Sequence, residues 1–183
     1  MTRKEVKDCL KVDFKQTLKD VTIKHVGFCF LTRHPAWLRW KFVKNMRLSS
    51  YHEELFRKGK YLHIIPMLYR LTNRNRYGNT LGFEIWGTNV GKGLTLYHNN
   101  VVISRDAVLG DGVKLHGDNC IGNDGITKDC PIIGNNVDIG VGAKILGGVT
   151  VADNITVAAG AVVVSSFTEE GIVIGGVPAR KLK

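Results

Sequence analysis

From Leu109 to Val163 an aliphatic side chain returns at every sixth position: Leu109, Leu115, Ile121, Ile133, Ile139, Ile145, Val151, Val157 and Val163, with Thr127 the only break. Neither the 3.6-residue turn of a helix nor the two-residue alternation of a half-buried strand gives a period of six. A coil of short strands does. Each aliphatic residue then points inward and stacks on its equivalent in the next coil at about 4.8 Å. Glycines directly after Leu109, Ile121, Ile133 and Ile139 let the chain turn sharply at the corners. Val90, Leu96 and Val102 keep the same spacing upstream, with one extra residue before Leu109. The expected fold class is mainly β: a parallel β-helix with a short helical N-terminal region.

That helical region has a different pattern. Sixteen of the 21 glycines follow residue 90. Val6, Leu10, Phe14 and Leu18, four apart, line one face of a first helix. Pro35 opens a second, with Trp37, Leu38, Val43 and Met46 on its apolar side. Ser50 to Glu53 has the form of a capping box and predicts a new helix start. A last helix after Pro66 carries Met67, Leu68 and Leu71, and Asn73 to Asn79 reads as a loop. The expected organisation is a basic, mostly helical region over 1–88, the repeat over 89–165 and a tail over 166–183.

Charge follows the same division. Residues 1–88 hold 18 Lys/Arg and 7 Asp/Glu, against 8 and 9 in residues 89–183, for a net charge of +10. Such asymmetry suits an anionic partner, or a surface that is simply solvated. Over 33–76, cations interleave with Trp37, Trp40, Phe42, Tyr51 and Tyr61, a combination suited to the edge of an anionic bilayer. No helix-turn-helix, zinc-finger or RNA-binding signature accompanies the charge, so nucleic acid is not the expected partner. Met1 to Asp20 lacks the apolar run of a secretory leader, and no stretch reaches the length of a membrane span. Cys9, Cys29, Cys120 and Cys130 have neither CxxC spacing nor the density of a disulfide scaffold. A cytoplasmic location is expected, if membrane-associated then at the inner face.

Three segments carry a family resemblance. The run from Ile133 to Gly147, IGNNVDIGVGAKILG, resembles the central coils of hexapeptide-repeat acyltransferases of the serine acetyltransferase type. Gly175-Gly176-Val177-Pro178-Ala179-Arg180 resembles that family's ending, and Gly93 to His98, GLTLYH, the segment with its catalytic histidine. The likeness covers roughly 88–183, with the motifs in the family's order. It implies a left-handed parallel β-helix, a homotrimer with active sites between subunits, and acetyl-CoA as cosubstrate. Within the family, the short helical front is most similar to the O-acetyltransferases of capsular and exopolysaccharide clusters. Tyr97 stands where serine-using relatives have an acid, and Cys130-Pro131 where they have a second histidine before proline. The turn after His98 is one residue shorter than the family's.

The resemblance makes His98 the general base, because transfer to an alcohol requires removal of the hydroxyl proton and imidazole titrates near working pH. His116, one 18-residue coil further on, and Tyr97 become candidate acceptor-binding residues. Gly142, Ala143, Gly160 and Ala161 would line the pantetheine groove, with Arg180 and Lys181 toward the cofactor's phosphates. Each has a plainer role open to it: a polar corner, a small turn residue, a basic terminus. A zinc site of the three-histidine kind would need a third histidine in the repeat, so no metal is expected. Asn123 to Asp129 interrupts the repeat and is expected to project beside the cleft; Cys130 is expected to be passive. The expected function is acetyl-CoA-dependent O-acetylation of a sugar hydroxyl on a polysaccharide or lipid-linked saccharide precursor. Serine O-acetylation is the alternative. A non-catalytic β-helix used for assembly and a nucleic-acid-binding protein are the rivals from other classes.

Overall fold

The structure, a computed structural model, describes residues 2–19 and 23–183. Met1 and Asp20, the limits of the segment read against a leader, lie outside the described residues. Four helices come first: α1 (Arg3–Thr17), α2 (Ile23–Leu31), α3 (Pro35–Arg57) and α4 (Ile64–Leu81). Thr2 and Glu5 form a reciprocal capping box at the start of α1, and His34 caps α3 through Nδ1, which accepts the Ala36 N–H at 3.3 Å. No helix among the described residues is long and apolar enough to cross a membrane.

Two helical expectations are corrected. Ser50 does not start a helix: it lies inside α3, its hydroxyl donating back to the Met46 carbonyl at 3.1 Å. Asn73 to Asn79 is not a loop, since α4 begins at Ile64 and runs through to Leu81. Gly78 is there for close packing, because a Cβ would stand 2.7 Å from the Phe83 carbonyl and 3.3 Å from the Phe42 ring. The aromatics divide as well. Trp40 and Phe42 are buried in the core and Tyr51 is half-buried, whereas Tyr61 is exposed. Trp40 and Phe42 therefore offer nothing to a bilayer. Leu68, expected on the apolar side, is exposed too.

The strands visit three faces in rotation. The first face contains β1 (Phe83–Ile85), β3 (Val101–Ile103), β6 (Asn119–Gly122), β9 (Lys144–Leu146) and β12 (Val162–Val163). The second contains β4 (Val108–Leu109), β7 (Ile132–Ile133) and β10 (Thr150–Val151), extended by bridges from Val90 and Phe167. The third contains β2 (Thr95–Leu96), β5 (Lys114–Leu115), β8 (Asp138–Ile139), β11 (Thr156–Val157), β13 (Val173–Gly176) and the antiparallel β14 (Ala179–Lys181). All other pairings are parallel, and the inward residues stack in register. Ile103, Ile121, Ile145 and Val163 form one column; Leu96, Leu115, Ile139, Val157 and Ile174 form another. Every residue of the six-residue series from Leu109 to Val163, Thr127 aside, is at most 2% exposed. Burial of one such side chain contributes about 1.5–3 kcal/mol.

Two departures from period six have clear places. Thr127 is exposed in a loop that leaves the first face after Gly122 and enters the second at Ile132. The extra residue lies earlier than its expected position. Val102 is 41% exposed while Val101 and Ile103 face inward, so the long step is from Leu96 to Ile103, at the corner carrying His98.

The helices are fixed to the coil by a buried ion pair. Asp13 of α1 and Arg47 of α3 meet at 2.9 Å, with side-chain exposures of 0% and 3%. Asp13 also accepts the Gly93 N–H at 2.6 Å, and Arg47 donates to the carbonyls of Val90 and Gly91.

Candidate active site

The chain leaves the third face and returns to the first through a corner, which in the uppermost complete coil is Tyr97-His98-Asn99-Asn100. Seven residues separate Leu96 from Ile103, but six separate their partners Leu115 and Ile121. The surplus residue is taken up in this corner. Asn100 takes a left-handed φ of 60°, and His98 is exposed. Gly117 lies directly beneath, where a Cβ would stand 2.7 Å from the His98 Cβ and 3.0 Å from the Asn99 carbonyl oxygen. With its φ of 103° as well, only glycine suits that position.

The two histidines are not eclipsed: Tyr97 lies against His116, and His98 against Gly117. Tyr97 donates its N–H to Leu115 at 2.9 Å, and its ring stacks on His116 with centroids 4.6 Å apart and 27° between planes. His116 Nε2 lies 2.8 Å from Asp138 Oδ1, whose other oxygen accepts Lys114 Nζ at 3.3 Å. Lys19 Nζ donates to the Tyr97 hydroxyl at 2.6 Å. With Nε2–H donating to the Asp138 carboxylate, Nδ1 of the neutral His116 ring is left as an acceptor. Asp138, Lys114 and Lys19 escape a reading of the sequence by motif. Asp138 was nevertheless legible: it follows Lys114 by one 18-residue coil plus the six-residue insertion, and pairs with it in register.

Below Gly117 the same corner continues through Gly142 and Gly160. Gly142 donates to the Gly117 carbonyl at 2.9 Å and Gly160 to the Val141 carbonyl at 2.8 Å. Around a Cβ on Gly160 nothing lies within 4 Å, and on Gly142 only Gly160 approaches, at 3.9 Å. A strip of bare backbone thus runs from His98 down the corner. Ala143 and Ala161 are fully buried. Their N–H groups close turns onto Gly140 and Ala158, and their carbonyls accept from Cys120 and Lys144 respectively. They fill the coil interior behind the strip, so its outer wall is Gly142 and Gly160. Arg180 is exposed on β14, and Lys181 Nζ binds both carboxylate oxygens of Glu169 at 2.7 Å.

The interrupting loop occupies a different corner of this chain, where Asp124 and Asp129 flank Gly147 and Gly148. Asp124 accepts the N–H groups of Thr127 and Ile126, bonds that hold its carboxyl below the usual range. Cys130 is half-buried, its Sγ 3.4 Å from Ser104 Oγ.

No family model matches the chain. A serine acetyltransferase of Staphylococcus xylosus is 30% identical over 184 residues, covering 98% of this chain and 77% of the relative. The chain belongs to the hexapeptide-repeat acyltransferases of the serine acetyltransferase type. A putative colanic acid biosynthesis acetyltransferase of Escherichia coli K12 is 36% identical over 97 residues, 51% of this chain and 60% of that protein. The crystal structure of the Brucella abortus S19 serine acetyltransferase in complex with coenzyme A superposes with a TM-score of 0.75 at 27% identity, covering 98% of this chain and 68% of that one. Against other curated members the chain spans about half of their length, 48% for one cyanobacterial serine acetyltransferase and 57% for one from Helicobacter pylori.

Proposed function

We propose that this protein is an acetyl-CoA-dependent O-acetyltransferase, built on a left-handed β-helix, whose acceptor is a sugar hydroxyl of a polysaccharide or its precursor. The observation that carries the choice of acceptor is the surroundings of His98. Tyr97 next to it is stacked on His116, so an aromatic ring stands where a serine ammonium would need a counter-charge, and the Asp138 carboxylate beyond it is already engaged by His116 and Lys114. Enclosing that ammonium uncompensated costs several kcal/mol, roughly 2–7 even for a neutral polar group. A sugar carries no such charge and stacks its apolar face on a ring.

In this reading His98 takes the acceptor's hydroxyl proton as the oxygen attacks the thioester carbonyl. The C–S bond then breaks, and the departing sulfur receives the proton from His98. His116 and Tyr97 hold the acceptor. The pantetheine arm lies along Gly142 and Gly160, backed by Ala143 and Ala161; the open space at those glycines fits a thin chain. Arg180 and Lys181 face the cofactor's phosphates. The working form is a homotrimer with shared clefts, a reading supported by the outward valine and isoleucine side chains at 102, 108 and 132, between 41% and 53% exposed. Regions 1–88, 89–165 and 166–183 supply the acceptor side, the scaffold and the closure of the cofactor site. The protein works in the cytoplasm, at the inner membrane face when its acceptor is lipid-linked.

Serine O-acetylation is the second reading. It is favoured by the Staphylococcus xylosus relative, which matches 98% of this chain, and by Asp118, an acid on the His98 corner whose N–H donates to Asn99 at 3.0 Å. The deciding experiment offers the purified protein acetyl-CoA with L-serine or with a panel of hexoses, N-acetylhexosamines and oligosaccharides. O-acetylserine formed efficiently with no saccharide accepted would reverse the assignment.

A further inference from the structure

The helical region holds a concavity that the proposed chemistry leaves unused. α2, α3 and the last turns of α4 enclose a groove of about 490 Å³, within the size range of small-molecule sites. Trp37, Tyr77 and Phe30 supply its aromatic walls and Arg33, Lys41 and Arg76 its charges; among the described residues no carboxylate lines it. Trp37 is half-buried, with Phe30 edge-on at 5.6 Å and the Lys41 ammonium 5.1 Å from its ring centre. On the same helix the Lys44 ammonium is pushed below its ordinary range, first by burial and then by Lys41 and Arg70. Cations crowd one another on this side of α3.

The groove is also placed usefully. Tyr77 and Thr80 line it, and one residue later the Leu81 carbonyl accepts the Asn100 N–H at 3.0 Å while Gly82 packs on Asn100. It therefore stands above the corner that carries His98, on the side away from Gly142 and Gly160. Chain geometry keeps the Thr80 and His98 Cα atoms within about 17 Å.

We propose that this groove binds a glycosyl phosphate, holding the phosphate on Arg33, Arg76 and Lys41 and a sugar face on Trp37, so that the saccharide is presented toward His98. Guanidinium groups meet phosphate bidentately and lose little hydration in doing so. An aromatic wall adds a surface for the sugar's C–H face. The inference rests on the sugar-acceptor reading and narrows it to acceptors that carry phosphate at the reducing end, whether free, nucleotide-linked or lipid-linked.

The test is binding, measured by calorimetry and tryptophan fluorescence on the full chain without acetyl-CoA. The probes are glucose 1-phosphate, a nucleoside-diphosphate hexose, a short-chain polyprenyl-diphosphate hexose, glucose and inorganic phosphate. At least one glycosyl phosphate should bind tenfold or more tightly than both glucose and inorganic phosphate, and which one does identifies the source. The double variant R33Q/R76Q should lose at least tenfold of that affinity with coenzyme A binding unchanged, and Trp37→Leu should weaken the glycosyl phosphate but not inorganic phosphate. Absence of binding, equal binding of glucose or phosphate, or an unaffected R33Q/R76Q variant overturns the assignment. The two proposals fail separately. Glycosyl phosphates that bind here but are never acetylated would remove the sugar-acceptor reading and leave the groove; saccharides acetylated equally well by R33Q/R76Q would do the reverse.

Discussion

Replacing Arg47 by methionine should destabilise the junction between helices and coil more than most single changes in this protein. Methionine keeps much of the volume but leaves Asp13, fully buried, without its cation and with the Gly93 N–H as its remaining bond across to the coil. An uncompensated buried charge of this kind costs about 3–5 kcal/mol. The carbonyls of Val90 and Gly91 lose a donor too, but both residues line a cavity of about 690 Å³ between α1, α3 and the coil. Water can reach them there, so their share is small. At about 2–4 °C per kcal/mol for a chain of this size, Tm should fall by roughly 6–20 °C. The assay is urea unfolding at one fixed protein concentration, which removes the effect of assembly on apparent stability. Asp13→Leu combined with Arg47→Met removes both charges, and the double variant should recover most of the loss, to within about 2 kcal/mol of the parent. A cost below about 1 kcal/mol for Arg47→Met, or a double variant as unstable as the sum of the singles, would refute the pair as the junction's main tie.

His98→Ala should lower turnover by about two to four orders of magnitude with little change in acetyl-CoA affinity, as loss of a general base does; steady-state kinetics with a binding titration checks both. Gly117→Ala should lower kcat at least about tenfold, because its methyl meets the His98 Cβ and displaces the imidazole, a misplacement of the kind that can cost 10²-fold. Unchanged kcat in that folded variant would mean the position of His98 is not critical. His52 lies with its Nδ1 2.8 Å from His63 Nδ1, and burial first, then His63 and Arg70, hold its pKa below the ordinary histidine value of 6.5. Folding favours the neutral ring, so its contribution is present above about pH 6.5 and is lost as pH falls below it. Tm measured from pH 8 to pH 5 should decline more steeply in the parent than in His52→Gln.

The coil was legible because its signal is repeated and buried. Nine aliphatic positions at a spacing of six all face inward, and one chance match would not have carried the same weight. The helices were less so. The Ser50 to Glu53 pattern meets the composition of a capping box, but α3 continues through it to Arg57, with Met46 and Ser49 buried and the Ser50 hydroxyl bonded back to the Met46 carbonyl. Asn73 to Asn79 has turn composition, yet Gly78 and Leu81 pack inward and hold α4 together. Propensity lost to tertiary contact in both cases. The displacement of Val102 was harder to see, since Val101, Val102 and Ile103 are all aliphatic and any of them could continue the series.

Of the candidate site, His98, Tyr97 and His116 are gathered at one corner, and that corner is also where the repeat takes its extra residue. One additional residue over a glycine leaves His98 exposed in the turn while Leu96 and Ile103 keep their columns on either side. Lys19 and Asp138 join from elements that no local motif connects, one from beyond the end of α1 and one from two coils below Tyr97. Arg47 and Arg74 are buried, one against Asp13 and the other 4.4 Å from the Trp86 ring centre, so part of the basic excess is internal structure. Arg33, Lys41 and Arg76 are different: they converge on aromatic walls with no carboxylate among the residues that line the groove. Cations kept mainly for solubility are expected to be dispersed and interspersed with acids. Cations gathered in a concave aromatic groove are what an anionic, ring-bearing ligand would need.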